Sequence, residues 1–100
     1  MGADLNEDPT FLDRADSYIA VANQQCGEQG RGKVSASMMY GTSRFHAWNA
    51  ACWSENSEDM KTKRQEYIKY FVGQFQSMLE ENLDDYIEHY AKYMAPKTDA

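Results

Sequence analysis

The chain has few residues that interrupt helices and too few basic residues for nucleic-acid binding. Of its 100 residues only two are proline, and neither lies between residues 10 and 95. Ten Lys and Arg stand against sixteen Asp and Glu, which gives a net charge of -6. Because a phosphate backbone binds to a basic surface, this balance argues against a general nucleic-acid binder. No apolar run approaches the roughly 20 residues that cross a membrane.

The N-terminus and the cysteines indicate a cytoplasmic protein. The first ten residues, MGADLNEDPT, have neither a basic start nor an apolar run, so we expect no signal peptide. Cys26 and Cys52 are the only cysteines. On a helix, Cys52 would lie roughly 27 Å from the turn that holds Cys26, whereas a disulfide needs Cα atoms within about 7 Å. We therefore expect two free, buried thiols in a reducing compartment.

Apolar residues recur at steps of three and four through the last third of the chain, from Met60 to Met94. This spacing is typical of one long amphipathic helix. The helix either runs unbroken to about Tyr93 or breaks near Asn82, where Asn82 and Asp85 could cap a new helix. The apolar positions are Ile68, Phe71, Phe75, Met78, Leu79, Leu83, Tyr86, Ile87, Tyr90 and Met94.

Two shorter helices are predicted before this one. Asp8 and Pro9 mark the start of the first, which should end at about Gln25, before the glycines at positions 27, 30 and 32. The second should run from about Val34 to Trp53.

These elements predict an all-α fold, a helical hairpin packed on a long third helix. We expect a single helical domain over residues 8–95, because 100 residues support only one small core. The polar ends, residues 1–7 and 96–100, should be disordered.

One polar pair is expected between the two helices of the hairpin. A half-buried guanidinium needs a carboxylate, so Arg44 should pair with Asp16 or Asp13. We interpret this as a structural pair that fixes the register of the helices.

The motifs that suggest a cofactor are incomplete. The segment GEQGRGK at residues 27–33 matches most of a phosphate-binding loop, but Val34 replaces the hydroxyl residue that binds magnesium, and the loop follows a helix. Arg31 and Lys33 remain a candidate anion site at a helix start. A metal site in a helical bundle needs acidic and histidine ligands from several helices, and this chain has two histidines. We therefore predict no cofactor and no metal.

Two apolar groups are candidate binding surfaces. Met38, Gly41, Phe45 and Trp48 share one helical face, where the glycine could leave a pocket for a small apolar ligand. A second group lies near the end of the long helix. Because tyrosine is enriched at protein interfaces, this group is a candidate interface. Its members are Leu83, Tyr86, Ile87, Tyr90 and Met94.

Several segments resemble a family of small proteobacterial proteins of unknown function. The similarity extends over about residues 9–94 and implies an all-helical fold without established catalytic residues. Its most specific part is the string VSASMMYG that begins at Val34, with DRAD at Asp13, Arg44-Phe45 and LDDY at Leu83.

We therefore expect a cytoplasmic, non-catalytic protein–protein interaction module that binds a second copy of itself or another protein. The alternative is a protein that binds a small apolar ligand or an anion. An enzyme is the less favoured class, since no nucleophile–base pair is evident. Neither nucleic acid nor membrane is expected as a partner.

Overall fold

The computed structural model describes residues 8–95, and within that range the protein is all-α with no strand, as predicted. None of the helices in the described range is long and apolar enough to cross a membrane. The predicted disordered ends lie outside these residues. The five helices are α1 (Phe11–Gln29), α2 (Arg31–Trp53), α3 (Ser57–Thr62), α4 (Arg64–Glu88) and α5 (Tyr90–Tyr93).

The first helix has Thr10 as its N-cap residue, without a side-chain capping bond, and so starts slightly later than Asp8 and Pro9 indicated. The Asp8 carboxylate accepts a hydrogen bond from the Thr10 backbone N–H at 3.3 Å and forms an ion pair with Arg14. The helix begins at Phe11, whose backbone N–H donates to the Asp8 carbonyl at 3.1 Å. One face of α1 is half-buried, and it consists of Phe11, Ala15, Ala22 and Cys26.

A single residue, Gly30, separates α1 from α2. Its φ of 93° and ψ of 148° lie in a region that is essentially restricted to glycine. The Gly30 N–H donates to the Cys26 carbonyl at 3.1 Å, and the Val34 N–H donates to the Gly30 carbonyl at 3.2 Å. The expected breaks at Gly27 and Gly32 were wrong, because both residues lie inside helices. Glycine lowers helix stability by only about 1 kcal/mol, which neighbouring turns can offset.

The predicted long helix is neither unbroken nor divided near Asn82, but is divided at two other places. Lys63 separates α3 from α4, and His89, with φ -112° and ψ 30°, separates α4 from α5. Of the two alternatives, the break near Asn82 does not occur, because this residue lies inside α4. Its side-chain amide donates to the Met78 carbonyl at 2.8 Å, so the asparagine is satisfied within the helix and does not cap a new one.

The start of α3 is fixed by two reciprocal hydrogen bonds. The Asn56 side chain accepts from the Asp59 backbone N–H at 2.8 Å. The Asp59 carboxylate in turn accepts from the Glu55 backbone N–H at 2.9 Å. This arrangement resembles a capping box and explains why the chain restarts a helix after Trp53.

The chain divides into two compact units between Met60 and Lys61. The first contains α1 and α2, which contact each other, and the second contains α4 and α5, which also contact each other. The packing of the last third on the hairpin, and the single domain, remain predictions.

Candidate interaction surface

The described part of the chain buries very little of its large apolar surface. Val34 and Ala50, at 4% and 3% exposure, are its buried hydrophobic residues, whereas twenty-one large hydrophobic side chains are exposed. Scattered exposed apolar residues are normal, but contiguous apolar patches on soluble proteins mark interaction sites. The question is therefore whether these side chains are scattered or aligned.

On α4 they are aligned in one stripe. At about 100° per residue, the members lie within about 60° of one another around the helix axis. Each is between 41% and 58% exposed, while Tyr67, Tyr70 and Phe71 on another side of the helix are half-buried. We call the exposed stripe the α4 seam, and its members are Ile68, Val72, Phe75, Leu79 and Tyr86.

Charge changes sign along the same helix. Within α4, residues 64–69 contain two basic residues and one acidic residue, residues 70–79 contain no charge, and residues 80–88 contain five acidic residues and no Lys or Arg. This order is the reverse of the one that a helix dipole favours, since acidic groups stabilise the N-terminal end and basic groups the C-terminal end. The charge order of α4 therefore does not stabilise an isolated helix.

The predicted interface at the end of the chain is exposed in the structure. Its members lie on α4, on α5 and just after α5, and their exposure ranges from 43% to 73%. The surface therefore extends the α4 seam toward the C-terminus. We call these residues the C-terminal face, and they are Leu83, Tyr86, Ile87, Tyr90 and Met94.

A polar cluster joins α4 to α5 beneath this face. The Asp85 carboxylate lies 3.0 Å from His89 Nδ1 and accepts a hydrogen bond from the Tyr93 hydroxyl at 2.9 Å. The Tyr86 and Tyr93 ring centroids are 4.5 Å apart. The hydrogen bond to Asp85 raises the pKa of Tyr93 above its usual value. The cluster holds the turn at His89 in one geometry and so positions Tyr90.

Sequence reasoning noticed only part of this cluster. Asp85 was identified as a possible helix cap, and the described residues contain no group of three side chains that could hold a metal ion. The spacing of Asp85, His89 and Tyr93 at intervals of four is the signal that could have revealed it.

The predicted pair between the first two helices is not formed within residues 8–95. Arg44, Asp13 and Asp16 are all exposed, and no ion pair joins them. Near the N-terminus, Asp8 instead forms an ion pair with the guanidinium of Arg14. The hydrogen bond from Arg14 lowers the pKa of Asp8. Exposure removes the reason for the predicted pair, because water satisfies the Arg44 donors.

The residues of the candidate pocket lie on an open helical face. Met38, Phe45 and Trp48 are exposed, and the Phe45 and Trp48 ring centroids are 5.6 Å apart. A Cβ atom built on Gly41 would meet no other atom within 4 Å, apart from its own helix backbone. Cys52, on the same helix, is exposed although it was expected to be buried, while Cys26 is half-buried and both thiols are free.

The candidate anion residues both lie in the first turn of α2. Lys33 lines a shallow cleft of about 300 Å³ beside Gly30, and Arg31 is not part of it. Both side chains are exposed. The other residues of the cleft are Gln25, Gln29, Val34 and Ser37.

Comparison with known proteins places the chain in a family. Residues 11–87 match the model of a family described as DUF3144, proteins of unknown function. The chain belongs to the DUF3144 family. The NMR structure of the protein NB7890A from Shewanella sp. is similar to this DUF3144 chain, with 39% sequence identity and a TM-score of 0.73 over 85% of this chain and 91% of that one. No curated protein matches the chain.

Proposed function

We propose that this protein is a non-catalytic protein–protein interaction module that acts through the α4 seam and the C-terminal face. The observation that supports this most directly is the alignment of exposed large hydrophobic side chains on α4 and α5, with Val34 and Ala50 as the buried hydrophobic residues of the described range. A protein surface covers such a stripe more completely than a small molecule can, because the stripe is long and forms no enclosed cavity.

The composition of the C-terminal face supports the same proposal. Tyr86 and Tyr90 are 49% and 64% exposed. Tyrosine offers a large apolar body with little conformational entropy to lose, and it is therefore enriched at the centre of interfaces. The Asp85 cluster holds Tyr93 against Tyr86 before any partner binds, so less order has to be gained on association.

The experiment is static light scattering of the wild type and of a Tyr86→Glu, Tyr90→Glu variant over a range of concentrations. We expect the wild-type mass to exceed 11.5 kDa and to rise with concentration. The variant should remain folded and should stay at the monomer mass, because two charges on the C-terminal face oppose its burial.

A Ser77→Glu, Ala91→Glu variant is the matched control, since it adds the same charge at exposed positions outside the C-terminal face. It should associate like the wild type. The proposal would be contradicted if the wild type stays monomeric and the Tyr86→Glu, Tyr90→Glu variant unfolds. The C-terminal face would then be covered within the chain itself.

A further inference from the structure

We infer that the occupant of the α4 seam is the α4 seam of a second copy of this chain, with the two helices antiparallel. This inference rests on the proposed function and names its partner. It is supported by three properties of α4: the spacing of its exposed apolar residues, the order of its charges, and the position of its polar residues within the stripe.

The spacing of the seam is that of a coiled-coil helix. Ile68, Val72, Phe75 and Leu79 follow one another at steps of four, three and four residues. This alternation keeps one apolar face toward a partner helix over several turns. Two antiparallel copies can be aligned so that Ile68 lies opposite Leu79 and Val72 opposite Phe75. Every apolar member of the central seam then faces an apolar residue.

The same alignment matches the polar positions. Gln65 and Asn82 occupy the next positions of the heptad pattern on either side of the central seam, and both are exposed. In the antiparallel alignment Gln65 of one copy lies opposite Asn82 of the other, so amide faces amide. A polar residue within an apolar seam is a well-attested way of fixing register. In a parallel pair Gln65 would face Gln65 and Asn82 would face Asn82, so amides would also be matched. The like-charged ends of the two helices would then lie side by side as well.

The charges decide between the two orientations. In the antiparallel pair, the start of α4 in one copy, with Arg64 and Lys69, lies beside the acidic residues 80–88 of the other, at both ends. Lys69 and Glu80 lie on the same side of the helix, and in this alignment they are offset by only about 3 Å along the axis of the pair. In a parallel pair, the like-charged ends would meet and repel. Antiparallel pairing also sets the two helix dipoles in opposition, which offsets the unfavourable charge order of each helix.

Disulfide trapping tests the orientation directly. In a chain with Cys26→Ala and Cys52→Ala, two single variants are made, Ile68→Cys and Leu79→Cys, of which one carries a tag that changes its mass. Antiparallel pairing brings position 68 of one copy beside position 79 of the other, while the two copies of position 68 are separated by about 16 Å along the axis. A disulfide needs Cα atoms within about 7 Å.

Under mild oxidation, a mixture of the two variants should form the mixed disulfide dimer, and each variant alone should remain uncrosslinked. Crosslinking of each variant alone would show parallel pairing. It would overturn the inference while the proposed function stands. If the protein is a dimer by mass but no sample forms a crosslink, the contact between copies lies on another face. This result would also overturn the inference while the proposed function stands. A monomer at every concentration would overturn both the inference and self-association through this surface.

Surface substitutions provide a test that leaves the apolar seam intact. Lys69→Glu and Glu80→Lys should each raise the dimer dissociation constant by about two- to tenfold, since each affects two symmetry-related pairs. The double variant should recover most of the wild-type affinity. Glu81→Lys, on another side of the helix, is the matched control and should change the constant little. Single effects that simply add in the double variant would overturn the proposed alignment.

Discussion

Truncation of Phe75 at the centre of the α4 seam should weaken self-association strongly while leaving the fold intact. The Phe75 side chain is 54% exposed in the single chain. Complete burial of such a side chain is worth about 1.5 to 3 kcal/mol, so burial of the exposed half contributes about 0.8 to 1.5 kcal/mol in each copy. Because both copies lose this contribution, Phe75→Ala should raise the dissociation constant of the dimer by about 15- to 150-fold.

The assay is sedimentation equilibrium at several concentrations, with circular dichroism to confirm that the helices persist. Leu12→Ala is the control, because Leu12 is also more than half exposed but lies on α1, outside the α4 seam. It should leave the dissociation constant unchanged. The reasoning is refuted if Phe75→Ala associates as tightly as the wild type. It is also refuted if the variant loses its helices as a monomer, because Phe75 would then be part of the internal core.

Further predictions concern α1, α2 and the Asp85 cluster. Gly30→Ala should destabilise the chain by about 1 to 3 kcal/mol in urea unfolding, because φ of 93° strains any residue with a Cβ. Gly41→Ala, in open space inside α2, should instead stabilise it by up to about 1 kcal/mol; equal effects would contradict the assigned turn. Arg44→Ala should shift the free energy of unfolding by less than about 0.5 kcal/mol, as is usual for an exposed position without an ion pair, and a large loss would reveal a partner. The hydrogen bond from Tyr93 to Asp85 raises the pKa of Tyr93 above the unfolded value, so it stabilises the α5 turn below pH 10 and is lost as the pH rises through the folded pKa. Ultraviolet titration should therefore show one late-ionising tyrosine that is absent in Tyr93→Phe; identical titration curves would show that the hydrogen bond does not form in solution.

The helical class of the chain could be predicted because its signals are local. The steps of three and four through α4, the near absence of proline and the carboxylate of Asp8 each act over one or two turns. Free thiols at Cys26 and Cys52 followed from helix geometry alone. The predicted ends of the first two helices were less accurate, because a glycine ends a helix only where the backbone needs a positive φ. That need exists at Gly30 and is absent at Gly27 and Gly32.

The site was harder to predict because it depends on which faces remain exposed. Arg44 and Asp16 were expected to pair because a half-buried guanidinium needs a carboxylate, but such a pair also requires burial and a close approach of two helices, which the sequence does not guarantee. Asn82 resembles a helix cap in sequence, yet its bond to the Met78 carbonyl satisfies it inside α4. The tyrosines of the C-terminal face were identified because their residue type and position were informative without tertiary contacts.

The most direct test of the α4 pairing is an isotope-filtered NMR measurement on a mixture of labelled and unlabelled wild-type chains, which detects only contacts between copies. We predict intermolecular contacts between Ile68 and Leu79 and between Val72 and Phe75. A spectrum without these intermolecular contacts, recorded at a concentration where light scattering shows a dimer, would contradict the account.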